Sequence, residues 1–230
     1  MACLTRPYFL FWASFVVLAC VFHFFPQIDV AFSGLFFHNH AFLLNRESPL
    51  LWWSYRALPV VGDVFFILLL VFFVLSFFKN TIFKKQRIFL AFLLTSALLG
   101  PVLLTEGIKT FSGRARPYNT TLFQGQMPFT PAFSKATFCA KNCSFVSGHT
   151  SSASFIFGFF WFLPKAKRRF YFCFCAAFVV AVALSRIIPG AHFLSDCVFG
   201  FLTTIFSFLF TETIFKMMKL NIHAKNPRST

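Results

Sequence analysis

"SRIIPGAHFLSD", Ser185–Asp196, divides two apolar runs that extend over about Phe170–Ile188 and Phe193–Phe215. Pro189–Gly190 is a turn signal, so the stretch reads as the connection between two long apolar helices. Helices this apolar belong in a bilayer, where an ionised side chain costs several kcal/mol unless it is paired or hydrated. Arg186, His192 and Asp196 at such a junction therefore mark a functional site.

Four more apolar runs precede these, at about Phe9–Phe25, Val60–Phe78, Ile88–Ile108 and His149–Leu163. With 58% hydrophobic and 12% charged residues in a chain of 230, the composition is far from that of a soluble globular domain. The blocks are bounded by cations and approach bilayer length. The expected fold is all-α, a polytopic membrane protein of six transmembrane helices in a single domain over residues 1–230. Several blocks fall short of the roughly 20 residues a spanning helix prefers, so their polar ends belong in the interface or a wet cavity. Gly100–Pro101 is expected to kink the third block. "VVLAC", residues 16–20, has the look of a lipoprotein cleavage site, but the apolar run continues to Phe25 and reads as an uncleaved first helix.

The formal charge of +15 raises the question of nucleic acid. Its distribution argues for topology instead. On the side of the N-terminus fall Arg6, Lys79, Lys84, Lys85, Arg87, Lys165, Lys167, Arg168, Arg169, Lys216, Lys219, Lys225 and Arg228, 13 cations against Glu212 alone, a net of +12. The other side carries 8 cations and 5 acids, a net of +3. The positive-inside rule places both termini in the cytoplasm. Alternating orientation then brings Asp63, Glu106 with Lys109, Ser147–His149, Ser185–Arg186 and His192–Asp196 to one outward-facing cluster, drawn from five helix ends.

Three stretches carry its chemistry. In "KTFSGRARP", Lys109–Pro117, Lys109, Arg114 and Arg116 crowd around a glycine. Such density calls for an anion: a phosphate gripped by the planar arginine forks, or lipid headgroups against a basic patch. In "CSFVSGHTSS", Cys143–Ser152, Ser147 and Gly148 open a helix with His149 in its first turn. Orphan N–H groups there suit an anion, although a serine cap beside an interfacial histidine reads the same way. In Ser185–Asp196, His192 and Asp196 are four apart and share a helical face. A carboxylate accepting from Nδ1 fixes the tautomer and frees Nε2 as a nucleophile; a purely structural pair is the alternative. Glu106, three residues before Lys109, reads as its neutralising neighbour, and Asp63 as either orienting a cation or lining the pocket mouth. Six acidic residues in all, none paired or clustered, leave no ligand set for a two-metal site, and no cofactor is called for. Of the seven cysteines, Cys139 and Cys143 share one polar loop, where a disulfide and two free thiols are both open readings; the others lie in or beside apolar runs as small packing residues.

Taken in order, Lys109 to Arg116–Pro117, Ser147–Gly148–His149 and Ser185–Arg186 to His192 to Asp196 resemble the three-part signature of the type 2 phosphatidic acid phosphatase (PAP2) family. One departure is Val146, where the family has proline. The resemblance implies a PAP2-type helical bundle and a metal-independent phosphatase working through phosphohistidine. By that analogy His192 attacks phosphorus, Asp196 orients it and His149 protonates the leaving oxygen. Lys109, Arg116, Ser147, Gly148 and Arg186 hold the phosphoryl oxygens, with Arg114 and Ser185 as accessory residues.

The substrate would be a membrane lipid phosphate met at the outer interface, and the partner the bilayer, with no nucleic acid. The loop from Pro26 to Pro59, with Trp52, Trp53 and Tyr55, is expected to form an interfacial belt that shapes the lipid's approach or simply anchors the chain. Around the second and third motifs, "FTPAFSKATFCAKNCSFVSGHTSS" and "GAHFLSD" look like the bacterial lipid A 4′-phosphatase branch. That likeness implies dephosphorylation of lipid A at the periplasmic face of the inner membrane. Undecaprenyl pyrophosphate, phosphatidylglycerophosphate and phosphatidic acid are alternative substrates. A lipid-anion binding or transport protein that keeps the pocket is the non-enzymatic alternative.

Overall fold

The computed structural model describes residues 2–45, 48–78 and 82–220. Arg46, Glu47, Lys79, Lys225 and Arg228, counted above toward the charge balance, lie outside the described residues. The chain is mostly helical. α1 (Ala2–Phe24) is followed by the short α2 (Gln27–Gly34) and a two-stranded hairpin, β1 (Phe37–His38) and β2 (Ala41–Phe42). A π-helical turn over Trp53–Ala57 leads into α3 (Leu58–Leu75). α4 (Arg87–Ala97) and α5 (Thr105–Ser112) are joined by a π-helical stretch, Leu98–Leu104, that contains Pro101. After a long loop come α6 (Gly148–Ser154), a 3-10 segment Phe155–Phe162, α7 (Lys165–Ile187) and α8 (Leu194–Met217).

Among the described residues, five helices are long and apolar enough to cross a membrane: Pro7–Phe24, Trp53–Leu75, Phe83–Asn119, Ala166–Ile187 and Leu194–Met217. The fourth apolar block of the sequence forms a different object, seven residues of α-helix continued by eight of 3-10 helix. Gly100–Pro101 is absorbed in a π-helical stretch, which leaves α4 to α5 one continuous span. α1 and α3 present Phe9, Val16, Val17, Val60, Val61 and Ile67 outward, each more than half exposed. That is the surface expected toward acyl chains, where no apolar face needs hiding.

α8 is the axis of the bundle and touches α1, α2, α4, α6 and α7. It can do so because the contacts are made by small residues. A Cβ on Gly100 would meet Ser207, and one on Gly200 would fall 2.5 Å from the carbonyl oxygen of Ser147. Thr204 donates to the Ser151 carbonyl at 2.8 Å, and Thr105 reaches the Ser151 hydroxyl at 3.0 Å. Where lipid supplies no hydrophobic drive between helices, such close approach and side-chain hydrogen bonding hold them together. Phenylalanines fill the space between, as in the stacked pair Phe92–Phe208 from α4 and α8, with centroids 5.9 Å apart.

The Pro26–Pro59 region is more structured than an anchoring loop. Asn39 and His40, both left-handed at φ 49° and 67°, make the two-residue turn that closes β1 on β2. The Phe42 ring lies against Gly190, whose φ of 68° and lack of a Cβ permit the contact. Trp52 is exposed, as a belt residue would be, but Tyr55 turns inward toward the polar cluster.

Candidate active site

The first turn of α8 is built around Asp196, which is fully buried. Its Oδ2 accepts from the Phe193 N–H at 2.8 Å, capping the helix, and from the Ser144 hydroxyl. Oδ1 accepts from Arg114 Nη1 at 2.7 Å. His192 lies just before the helix with Nδ1 3.4 Å from Asp196 Oδ2. The Pro189–Gly190 turn delivers it there: the N–H groups of Ala191 and His192 both point to the Arg186 carbonyl, at 3.0 and 3.2 Å. Burial pushes the His192 imidazole down to about 4, against the pull of Asp196, and the cations Arg116 and Arg186 push it further the same way. The ring is therefore neutral at physiological pH.

The first motif surrounds this end of α8. α5 ends at Gly113, whose φ of 56° makes the left-handed C-cap, and the chain turns back so that both arginines point inward. Lys109 and Arg116 are buried; Lys109 Nζ donates to Glu106 at 3.1 Å, and Arg116 grips Asn142, with Nη2 2.9 Å from both the carbonyl and the side-chain oxygen. Glu106 is solvent-exposed, so its ion pair adds little stability. Arg114 is the exception among the three cations. It is 1% exposed and spent on protein partners: Asp196, Asp29 at 2.8 Å, the Ser195 hydroxyl at 2.8 Å and the Thr130 carbonyl at 2.9 Å.

The second motif meets the other two at the start of α6. Ser147 is the N-cap, accepting from the Thr150 N–H, while its own N–H donates to the Asp196 carbonyl at 2.8 Å. A Cβ on Gly148 would lie 3.1 Å from Lys109 Nζ, so glycine lets lysine approach the helix start. His149 has a buried Nε2 with no hydrogen-bond partner among the described residues, and it lies in the field of the cations Arg186, Lys109 and Arg116. Tyr55 bridges this region to α7, with its ring 6.2 Å from that of His149 and the Arg186 guanidinium stacked 3.5 Å over it.

Lys109, Arg116, Ser147, Gly148, His149, Arg186, His192 and Asp196 thus converge from three stretches of chain. Ser185 does not join them; its hydroxyl turns back to the Val182 carbonyl at 2.7 Å. Asp63 lines a groove of about 700 Å³ between α3, α5 and α6 that ends at Lys109, Gly148 and His149. Cys139 and Cys143 are joined as a disulfide with Cα atoms 5.6 Å apart, closing the short loop that carries Asn142. Sequence reading missed Asp29, Asn142 and Ser144 and placed Tyr55 in an interfacial belt. The isolated acid in "QIDVAFSG" was the available signal for Asp29, since a lone carboxylate beside an apolar run needs a partner. Among the described residues, no group of three or more His, Cys, Asp or Glu side chains is placed to hold a metal ion.

The PAP2 superfamily profile matches residues 88–219. The chain is 34% identical to the lipid A 4′-phosphatase of Rhizobium leguminosarum over 232 aligned residues, covering 94% of this chain and 98% of that one. It is 32% identical to the lipid A 4′-phosphatase of Francisella tularensis subsp. novicida, covering 84% and 87%. No solved structure matches significantly. With both the motif geometry and these full-length relatives in agreement, the chain belongs to the PAP2 superfamily and is a phosphoric monoester hydrolase.

Proposed function

We propose that this protein removes the 4′-phosphate of lipid A at the periplasmic face of the bacterial inner membrane, through a phosphohistidine on His192. The carrying observation is the convergence of a neutral, buried His192 with a second histidine and the cations Lys109, Arg116 and Arg186, a cluster whose Lys109 and His149 line one end of a groove that is otherwise largely apolar. Such a groove accepts a phosphate at its polar end while the tail stays among apolar side chains. The names of the full-length relatives support lipid A and the 4′ position.

In this reading the phosphate's oxygens lie among Lys109, Arg116, Arg186, the Ser147 hydroxyl and the Gly148 N–H, which also meet the charge of the transition state. His192 Nε2 attacks phosphorus as the bond to the sugar oxygen breaks, and His149 gives that oxygen a proton. A bound phosphate dianion offsets most of the charge of Lys109, Arg116 and Arg186 around His149, so its protonation is coupled to substrate binding. In the second step His149 takes a proton from water, whose oxygen displaces His192 from phosphorus and releases phosphate. Asp196 holds Nδ1 throughout. Six crossings of one domain, both termini cytoplasmic, put the site on the periplasmic side.

Phosphate release by detergent-purified protein in EDTA tests the reading, with bisphosphorylated lipid A, undecaprenyl pyrophosphate and phosphatidic acid compared. Release from lipid A, absent in His192→Asn and located at the 4′ position by product mass, is the expected result. Preference for the polyprenyl substrate would overturn the substrate, and a requirement for a divalent ion or an active His192→Asn would overturn the mechanism.

A further inference from the structure

We infer that Asp29 is a positioning residue for this chemistry: by neutralising Arg114 it leaves Asp196 with a negative charge to direct at His192. The inference rests on His192 as nucleophile. Asp29 lies in α2, far from the three motifs in sequence, and has no exposed surface. Its Oδ1 accepts from the Ser195 N–H at 2.8 Å, and its Oδ2 from Arg114 Nη2 at 2.8 Å and from the Ser195 hydroxyl. The Ser195 oxygen itself accepts from Arg114 Nη1 at 2.8 Å, so its one proton goes to Asp29. All of these neighbours donate, which holds Asp29 as a carboxylate. Burial raises its carboxyl above the ordinary value, and the Arg114 charge opposes that rise without cancelling it.

Arg114 is thus a single buried cation between two buried carboxylates, and the trio carries one negative charge. With Arg114 facing Asp196 alone, that charge would be cancelled. The consequence falls on His192, whose other charged neighbours, Arg116 from the first motif and Arg186 on α7, are positive, with Lys109 on α5 and the titratable His149 on α6 in the same cluster. An imidazole that bonds to phosphorus gains positive charge, and the trio, through Asp196 beside Nδ1, opposes that gain on the protein's side of the ring. Asp29 also satisfies the orphan Ser195 N–H in the first turn of α8, so it acts on the fold as well. The charge role has its own signature.

That signature is the acid limb of the kcat/KM–pH profile for bisphosphorylated lipid A in detergent, normalised to folded protein. Asp29→Asn keeps the shape and neutralises the trio; the limb moves to lower pH by about one unit and kcat falls on the order of tenfold. Ser195→Ala weakens the same contacts without changing charge and leaves the limb in place. Asp29→Asn/Arg114→Gln restores the single negative charge and returns the limb toward wild type. An unmoved limb in Asp29→Asn, or an equal shift in Ser195→Ala, overturns the proposal. Should Asp29→Asn not accumulate, the double variant decides: a wild-type limb supports the charge balance, whereas a displaced limb or failure to fold assigns the trio to structure alone. His192→Asn runs in parallel, and activity there would overturn the nucleophile assignment independently of Asp29.

Discussion

His192 is a histidine kept neutral by its surroundings, and that has a measurable thermodynamic cost. Its folded value is lowered by burial to about 4 from an ordinary 6.5. Between these values the unfolded chain binds a proton that the folded protein does not. Stability contributed at neutral pH is therefore lost as pH falls from 6.5 toward 4, by about 3 kcal/mol at most for one group. Carboxylates titrate in the same region, so the comparison is between wild type and His192→Asn. Thermal unfolding in detergent at pH 7 and pH 4.5 is expected to show the larger drop for wild type; equal drops would mean that His192 titrates normally. His192, Asp196, Lys109, Arg116 and the Ser147–His149 turn were legible because their spacing is local and encoded. Asp29 and Asn142 were not. Asp29 pairs with Ser195 across 166 positions and Asn142 with Arg116 across 26; the lone acid of α2 signals that Asp29 needs a partner, but nothing in the flanking residues says which.

The elements show why the site needs small residues as much as charged ones. α8 supplies His192's partner Asp196, and α6 supplies His149, so the distance between these helices sets the distance between the two histidines. Gly200 fixes it: a Cβ there would fall 2.5 Å from the Ser147 carbonyl oxygen, against a rigid backbone. Gly200→Ala is expected to push α8 away from the α6 start, costing roughly 1–3 kcal/mol of stability by overpacking and on the order of 100-fold in activity by misplacement. Gly34→Ala, with no atom within 4 Å of the new Cβ, serves as the control. Wild-type activity in Gly200→Ala would show that the α6–α8 spacing tolerates displacement. The apolar blocks of the sequence located the long helices well, because bilayer burial imposes a length and a composition that tertiary context does not override. They did not disclose α2, the β1–β2 hairpin or the π-helical turn that extends α3 back to Trp53. These are short elements set by packing on Gly190 and on the start of α8.

For the whole molecule the fourth apolar block decides the topology, since five crossings put the termini on opposite sides of the membrane and six put them together. As an α-helix, the 15 residues of Gly148–Phe162 would rise about 22 Å. With seven residues α-helical and eight in 3-10 geometry they rise about 26 Å, close to the ~30 Å hydrocarbon core. The tighter helix thus lengthens a block that composition alone leaves short. Its two ends also differ as a crossing requires. One carries Ser147, Gly148 and His149; the other is followed at once by Lys165, Lys167, Arg168 and Arg169, with Arg168 Nε donating back to the Leu163 carbonyl at 3.0 Å. Single-cysteine labelling distinguishes the topologies, with the cysteines other than Cys139 and Cys143 replaced by alanine. Gln126 and Lys219 are both exposed and are separated by this block, α7 and α8. Three crossings place them on opposite sides, so an impermeant maleimide added to spheroplasts is expected to label Gln126→Cys at once and Lys219→Cys only after lysis. Labelling of both positions from the same side would mean that the block re-enters without crossing, leave five spans and remove the charge argument for cytoplasmic termini.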